Sequence, residues 1–474
     1  MGSRFQQAQR LQRLALAPTP RTLARYVHQS SRHNTAIQST SSTSTPAQLL
    51  STKTYRQGST PKSVLARLPT SSVARSYLIT AMSSSPALLG LTFTVLRKML
   101  DSKNYLMDVE RNPLIRAVLK STFYAQFCAG DKAHEVKPNL AAARSVLGYD
   151  GVIIEYALEV LGGSEPTAAE TAAEIEVWRK GMMKSVEMAS EGDFIGLKWS
   201  GLGRHALHLL QTQQPATPEM WAAITEACDA AAAKGVCLLP GAEEELTNIG
   251  LEQWTIALQE KYNTHEYGRA LIYTTYQCYL RAVPARIAAH LERAATHNYI
   301  AGVKLVRGAY LTSEPAGVCF DTKEGTDACY DACAATVLRR QWSPSIAPTN
   351  PSAAFPAVNI VLATHNLASL QSAKAIRAAQ LLAAPAHTLP RLAYAQLQGM
   401  ADEISQSLVQ DPTVQADENA QVVKLLAWGT MTECLNFLIR RAAENKEASF
   451  RTDDTRRAMG AELGRRLRGF FGLA

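Results

Sequence analysis

From residue 151 onward, short apolar runs alternate with amphipathic stretches, and the cycle repeats eight times. The runs fall at 151–156, 194–199, 235–239, 271–276, 303–306, 358–363, 392–397 and 422–428. They are continuous rather than alternating, as strands buried on both faces should be. Between them, stretches such as 168–191, 218–233 and 284–297 space apolar residues for one helical face. Eight strand-then-helix units predict an α/β chain with a (β/α)8 TIM-like barrel. Residues 72–135 read as helical and lead into it. The segment 341–356, rich in Pro, Ser and Asn, reads as a surface insertion before the sixth strand. The expected layout is an N-terminal helical region at 63–145 and a barrel domain at 146–474.

Charge alters the picture at the N-terminus only. The formal charge is +8, yet no Asp or Glu precedes Asp101, while residues 1–100 carry 13 Lys and Arg. Without them, 36 basic residues face 41 acidic ones, a net −5. Nucleic-acid binding therefore loses its main support. Residues 1–35, rich in Arg, Ser and Thr and free of acids, have the composition of a mitochondrial transit peptide. Residues 36–62 have little apolar content and read as a disordered linker. No apolar run reaches 18 residues; the greasiest early stretch, 87–96, ends at Arg97-Lys98 and suits docking or an interface rather than a span. Eight scattered cysteines suggest buried free thiols. Cys329 and Cys333 sit one turn apart, but no His or second Cys pair completes a metal set, so no metal is expected.

Barrel chemistry sits at the C-terminal ends of the strands. Lys198 lies near the end of the second, Gln277 after the fourth, and Arg307 and Tyr310 after the fifth. Thr364, His365 and Asn366 follow the sixth, and Gln396 lies near the end of the seventh. Each alone reads as a solvated loop group; the set on one rim does not. A second cluster is Arg440-Arg441, with Glu444 three and four residues on. On a helix this is an ordinary ion-paired face worth about 0.3–0.5 kcal/mol. Beside Gly302-Val-Lys-Leu-Val-Arg-Gly-Ala-Tyr-Leu311 it is also a plausible clamp for a small carboxylate near an anionic cofactor. Gly201-Leu-Gly203 is followed by Arg204-His205-Ala206 without a third glycine, so a Rossmann dinucleotide site is not supported.

Six motifs, in order, resemble the proline dehydrogenase (proline oxidase) family in its mitochondrial form, with the fungal branch most similar. They are Phe123-Tyr-Ala-Gln-Phe-Cys-Ala-Gly130, Tyr276-Gln-Cys-Tyr279, 302–311, Ala363-Thr-His-Asn366, Gln396-Leu-Gln-Gly-Met400 and Arg440-Arg-Ala-Ala-Glu-Asn445. The likeness runs from about Val64 to the C-terminus. It implies FAD across the barrel mouth, held by Gln277, Lys304, Val306, Gly308, Thr364, His365, Asn366 and Gln396. Lys323 and Thr326 would join on the adenosine and pyrophosphate side. It also implies a helix over the mouth, from which Arg440 and Arg441 hold the carboxylate of L-proline together with Lys198. Glu444 would position an arginine or contact the flavin, and Tyr310 and Leu305 would pack on the substrate ring. The implied reaction is oxidation of proline to 1-pyrroline-5-carboxylate, with electrons passed to a membrane quinone at the matrix side of the mitochondrial inner membrane.

Three departures stand out. Gly241-Ala242-Glu243 occupies the place of the family's Asp-Ala-Glu, Leu425 that of a pocket tyrosine, and Phe437 that of a tyrosine before the arginine pair. They keep two alternatives open: a hydroxyproline-preferring paralogue, and a non-catalytic FAD-barrel homologue with a regulatory or binding role. A metal- or acid/base-dependent hydrolase would need paired rim carboxylates or a His cluster, which the strand ends do not offer.

Overall fold

The structure, a computed structural model, describes residues 63–472 apart from 103, 161 and 445–448, with side chains except at 86 and 441–452. The expected transit peptide and linker lie outside the described residues. The strands are β1 (Cys128–Gly130), β2 (Gly151–Tyr156), β3 (Phe194–Leu197), β4 (Cys237–Pro240), β5 (Thr274–Gln277), β6 (Ala301–Val306), β7 (Val358–Ala363), β8 (Leu392–Leu397) and β9 (Ala420–Trp428). Strands β2 to β9 form a parallel sheet in the order β4-β3-β2-β9-β8-β7-β6-β5. A parallel bridge between Leu238 and Ile272 closes β4 onto the chain just before β5. The expected eight-stranded barrel is present.

The closing seam is the weak point of the ring, because one bridge leaves backbone groups without strand partners. Side-chain amides supply them. Asn263, which caps the helix Glu245–Tyr262, accepts from the Leu271 and Ile272 N–H groups, both at 2.9 Å. Its Nδ2 donates to the Ile272 and Ile300 carbonyls at 2.8 and 3.0 Å. Gln259 likewise exchanges bonds with both backbone groups of Gly302. This seam is why the fourth strand begins at Thr274 rather than at 271. The third begins at Cys237 rather than 235, since Gly235 is the left-handed cap of the helix Pro218–Lys234.

Pleat alternation sorts the strands into two layers. Val152, Ile154, Val303 and Leu305 pack with helix residues such as Trp178, Ile287, Leu291 and Val337. Ile153, Phe194, Leu239, Val361, Ala395 and Leu425 fill the barrel interior. The helix Met431–Glu444 adds Met431, Leu435 and Ile439 to that interior cluster, so it covers the barrel mouth as expected. β1, in a region expected to be helical, pairs with the mouth end of β9 through Cys128–Ala427 and Gly130–Trp428.

At the other end of the chain, the helix Ser449–Phe470 packs on Thr70–Ser83, with Met459 meeting Leu65, Leu68 and Val73. Arg466 anchors the contact, donating to Thr70 Oγ1 at 2.7 Å and to the Leu65 and Leu68 carbonyls. The basic tail around 464–471 is therefore partly committed to the chain itself, though Leu467, Phe470 and Phe471 stay exposed.

One helix carboxyl has a stability consequence. Burial, and secondarily the nearby Glu245, raise the pKa of Glu252 to about 7, against the pull of Arg286 at 3.4 Å. The folded state then binds a proton that the unfolded chain releases near its usual value. The resulting stability is full at low pH and lost as pH rises through about 7. Glu252→Gln should therefore be close to neutral at pH 5 and stabilising at pH 8, by at most about 3 kcal/mol in urea unfolding.

Candidate active site

Lys198 follows β3 directly, and only 5 % of it is exposed. A desolvated ammonium needs partners. It donates to the Ala242 carbonyl and lies 3.1 Å from Tyr310 Oη, with the Tyr310 ring 5.5 Å away. Gly241 makes room for this pose, since a Cβ there would sit 3.1 Å from Lys198 Cε and 3.3 Å from Nζ. Gly241 thus lies directly under the lysine.

Arg440 reaches down from the mouth helix to Glu159, with Nε 2.6 Å from Oε2. Glu159 lies just past β2 and its side chain is 5 % exposed. Glu243 is buried as well, and its carboxyl is pushed up by burial first. Lys198 pulls it down and Glu159 raises it further. Two cations and two carboxylates therefore share one neighbourhood at the mouth, with Tyr310 beside them. Arg441 and Glu444 lie on the same helix, and their side chains fall outside the described ones.

Leu305 is not part of this group. It is fully buried in the strand–helix layer, facing the same way as Val303, so packing against a substrate ring is corrected. The alternation that turns Leu305 outward turns Lys304 into the barrel, 8 % exposed.

The remaining rim residues hold the loops together. Gln277 donates to the Glu243 carbonyl at 2.7 Å and accepts from the Ala309 N–H at 3.3 Å, joining the loops after β4 and β6. Val306 is half-buried at the end of β6. Thr364 Oγ1 accepts from Arg307 at 2.6 Å and from the Asn366 N–H. Arg307 also bridges Asp327 and Ser369 and stacks 4.5 Å over Tyr330. Asp327 in turn binds Lys323 and, at 3.3 Å, Asn366 Nδ2. Thr326 sits in the first turn of the helix Lys323–Arg339. His365 Nε2 accepts from the Leu397 N–H at 3.2 Å, which places the ring proton on Nδ1. Gln396 donates to the Thr364 carbonyl and accepts from Ser405, which Lys424 holds at 2.7 Å.

Gly308 is the tightest point of the rim. Its φ is +135°, and a Cβ would meet the Tyr279 ring at 2.2 Å. Gly308→Ala should displace Tyr279 and the loop carrying Tyr310. The expected cost is about 2–4 kcal/mol in thermal unfolding.

A cavity of about 530 Å³ opens beside the rim. Lys323, His365 and Asn366 line one side; Phe93, Leu96, Met400 and Leu438 line much of the rest, with Glu403 and Asp454 also on the wall. Lys198, Tyr310 and Arg440 lie outside its lining. Such a volume suits an elongated ligand with a polar end.

Sequence reasoning missed Glu159 and Lys424. Glu159 could have been found, because it follows the first barrel strand at the catalytic end. Lys424 could not, because a lysine inside a strand shows no facing until the next loop is placed.

The family model described as proline dehydrogenase matches residues 143–454. The probable mitochondrial proline dehydrogenase of Schizosaccharomyces pombe is 29 % identical over 256 residues, 52 % of this chain and 50 % of that protein. Human mitochondrial proline dehydrogenase 1 is 32 % identical over 242 residues, 49 % of this chain and 36 % of that protein. The chain thus spans half or less of these two relatives. Mouse hydroxyproline dehydrogenase is 26 % identical over 461 residues, 84 % of this chain and 92 % of that protein. Among solved structures, proline utilization A from Bdellovibrio bacteriovorus superposes with a TM-score of 0.57 at 17 % identity. That match covers 81 % of this chain and 41 % of that one, and carries the fold alone. With the family model matching most of a closed barrel and its mouth, the chain belongs to the proline dehydrogenase family.

Proposed function

We propose that this chain is an FAD-dependent proline dehydrogenase that oxidises L-proline to 1-pyrroline-5-carboxylate. The observation that carries the reading is Lys198, a cation kept at 5 % exposure under Tyr310 at the catalytic end of the barrel. A buried ammonium there has a use in holding a small carboxylate. Arg440 would join it from the mouth helix, and Arg441 and Glu444 from the same helix.

The donor set fits a flavin. Lys304 puts a nearly buried cation inside the barrel beside Thr275 and two residues from Gln277 in register. Gln277, Lys304, Val306, Gly308, Thr364, His365, Asn366 and Gln396 would hold FAD, with Lys323 and Thr326 at its adenosine and pyrophosphate end. The cavity beside Lys323, His365 and Asn366 supports that end of the assignment. FAD would supply the two-electron acceptor for the hydride equivalent leaving proline C5. Lys304 would stabilise the negative charge that develops on it. Two or more fixed cations around the carboxylate orient the ring and favour the neutral amine, which oxidation requires.

A membrane quinone on the matrix side of the mitochondrial inner membrane would take the electrons. Among the described residues no single helix is long and apolar enough to cross a membrane. Exposed Leu78, Leu88, Leu91 and Val95 on the helices Thr70–Ser83 and Pro86–Asp101 support peripheral association. A hydroxyproline preference is the second reading. It rests on Gly241 and on Leu425, which lies in the interior cluster where a hydroxyl is missing.

The test is a flavin spectrum of the FAD-reconstituted protein before and after anaerobic addition of proline and, separately, of trans-4-hydroxyproline. Bleaching by proline supports the reading, and faster bleaching by hydroxyproline favours the second. A bound flavin inert to both points to the non-catalytic homologue, and a protein that stays colourless contradicts flavin chemistry altogether.

A further inference from the structure

Three cysteines far apart in the chain meet behind the rim. Cys278 is the first residue past β5, its N–H bound to the Val306 carbonyl at 2.9 Å. Cys329 and Cys333 lie one turn apart on the helix Lys323–Arg339. All three sulfurs lie within 4.8 Å of one another, with Cys278 and Cys333 wholly buried and Cys329 7 % exposed. Among the described residues no other three His, Cys, Asp or Glu side chains bring their ligand atoms so close.

A single buried thiol is an ordinary small apolar group. A triangle of thiols is a soft donor set, selective for ions that prefer sulfur. Metal–sulfur bonds of about 2.3 Å in a flat three-coordinate arrangement put sulfurs about 4 Å apart. Closing the triangle thus takes shifts below about 1 Å, within the reach of small side-chain rotations. Zinc requires a fourth ligand, and the cluster contains none.

We propose that Cys278, Cys329 and Cys333 form a buried three-coordinate thiolate site for a soft monovalent d10 ion, Cu(I). Cys329, 7 % exposed against the wholly buried Cys278 and Cys333, is the sulfur an incoming ion meets first. Binding releases thiol protons to solvent and changes no oxidation state. The site would tie Cys278, next to Gln277, to the helix whose first turns carry Lys323 and Asp327. Both elements border the rim, so occupancy braces it from behind. The inference does not depend on proline oxidation.

The test is a Cu(I) titration of the full, reduced protein under anaerobic conditions against a chromogenic Cu(I) chelator. One equivalent should be retained, and saturation should raise the thermal midpoint by about 3 °C or more. Cys329→Ser should bind at least about 100-fold more weakly, since losing a ligand exceeds the usual effect of an outer partner. Cys228→Ser, buried elsewhere in the helix Pro218–Lys234, should match wild type. Should a variant fail to fold, copper X-ray absorption on the wild type decides: three sulfurs at about 2.3 Å support the site. No retained copper, a nitrogen or oxygen shell, or undiminished binding by C329S would overturn it. So would a mass change of minus two hydrogens in place of one added copper, which would assign the cluster to a disulfide.

Discussion

Lys198→Met lowers kcat/KM for proline by about 100–1000-fold, with flavin content and thermal midpoint close to wild type. The magnitude is that of losing one desolvated cation–carboxylate contact, about 3–4 kcal/mol. Methionine keeps most of the side-chain volume, and the lysine is costly to bury in the first place. The folded protein therefore loses little when the charge goes. The alternative role for Lys198 is a strut between the Ala242 carbonyl and Tyr310. On that account stability and activity would fall together, and a melting curve beside the kinetics separates the two.

Arg440→Ala has the opposite signature, in which stability falls as well as activity. Its partner Glu159 is 5 % exposed, so truncation removes one charge-assisted hydrogen bond from a nearly buried carboxylate, at a cost of about 1.5–3 kcal/mol in urea unfolding. The double variant R440A/E159Q should recover most of that stability, because both charges leave together. Neither should recover proline turnover, since the guanidinium for the substrate is absent from both. Recovery of turnover by the double variant would assign Arg440 a structural role only.

The barrel was legible in the chain because its strands are buried on both faces and read as continuous apolar runs. The ends were less so. Gly235 belongs to a helix cap, and 271–272 are held by Asn263 rather than by a neighbouring strand. Rim polar residues could be found by counting forward from each strand, which placed Lys198 and Tyr310 together. Leu305 failed for the same reason the strands succeeded. A run apolar on both faces carries no sign of which face meets the helices, and only the packed layers turn it outward. The Cys278–Cys329–Cys333 triangle is a tertiary fact, since local spacing showed only the helical pair.

The central claim is that Lys198 and the mouth-helix arginine hold a substrate carboxylate over the flavin. A crystal structure of the FAD-loaded protein with a non-oxidisable proline analogue tests it most directly. The account predicts the analogue's carboxylate within about 3 Å of both Lys198 Nζ and the Arg440 guanidinium, with Tyr310 against the ring. A carboxylate bound elsewhere, with Lys198 still on the Ala242 carbonyl and Arg440 still on Glu159, would contradict it.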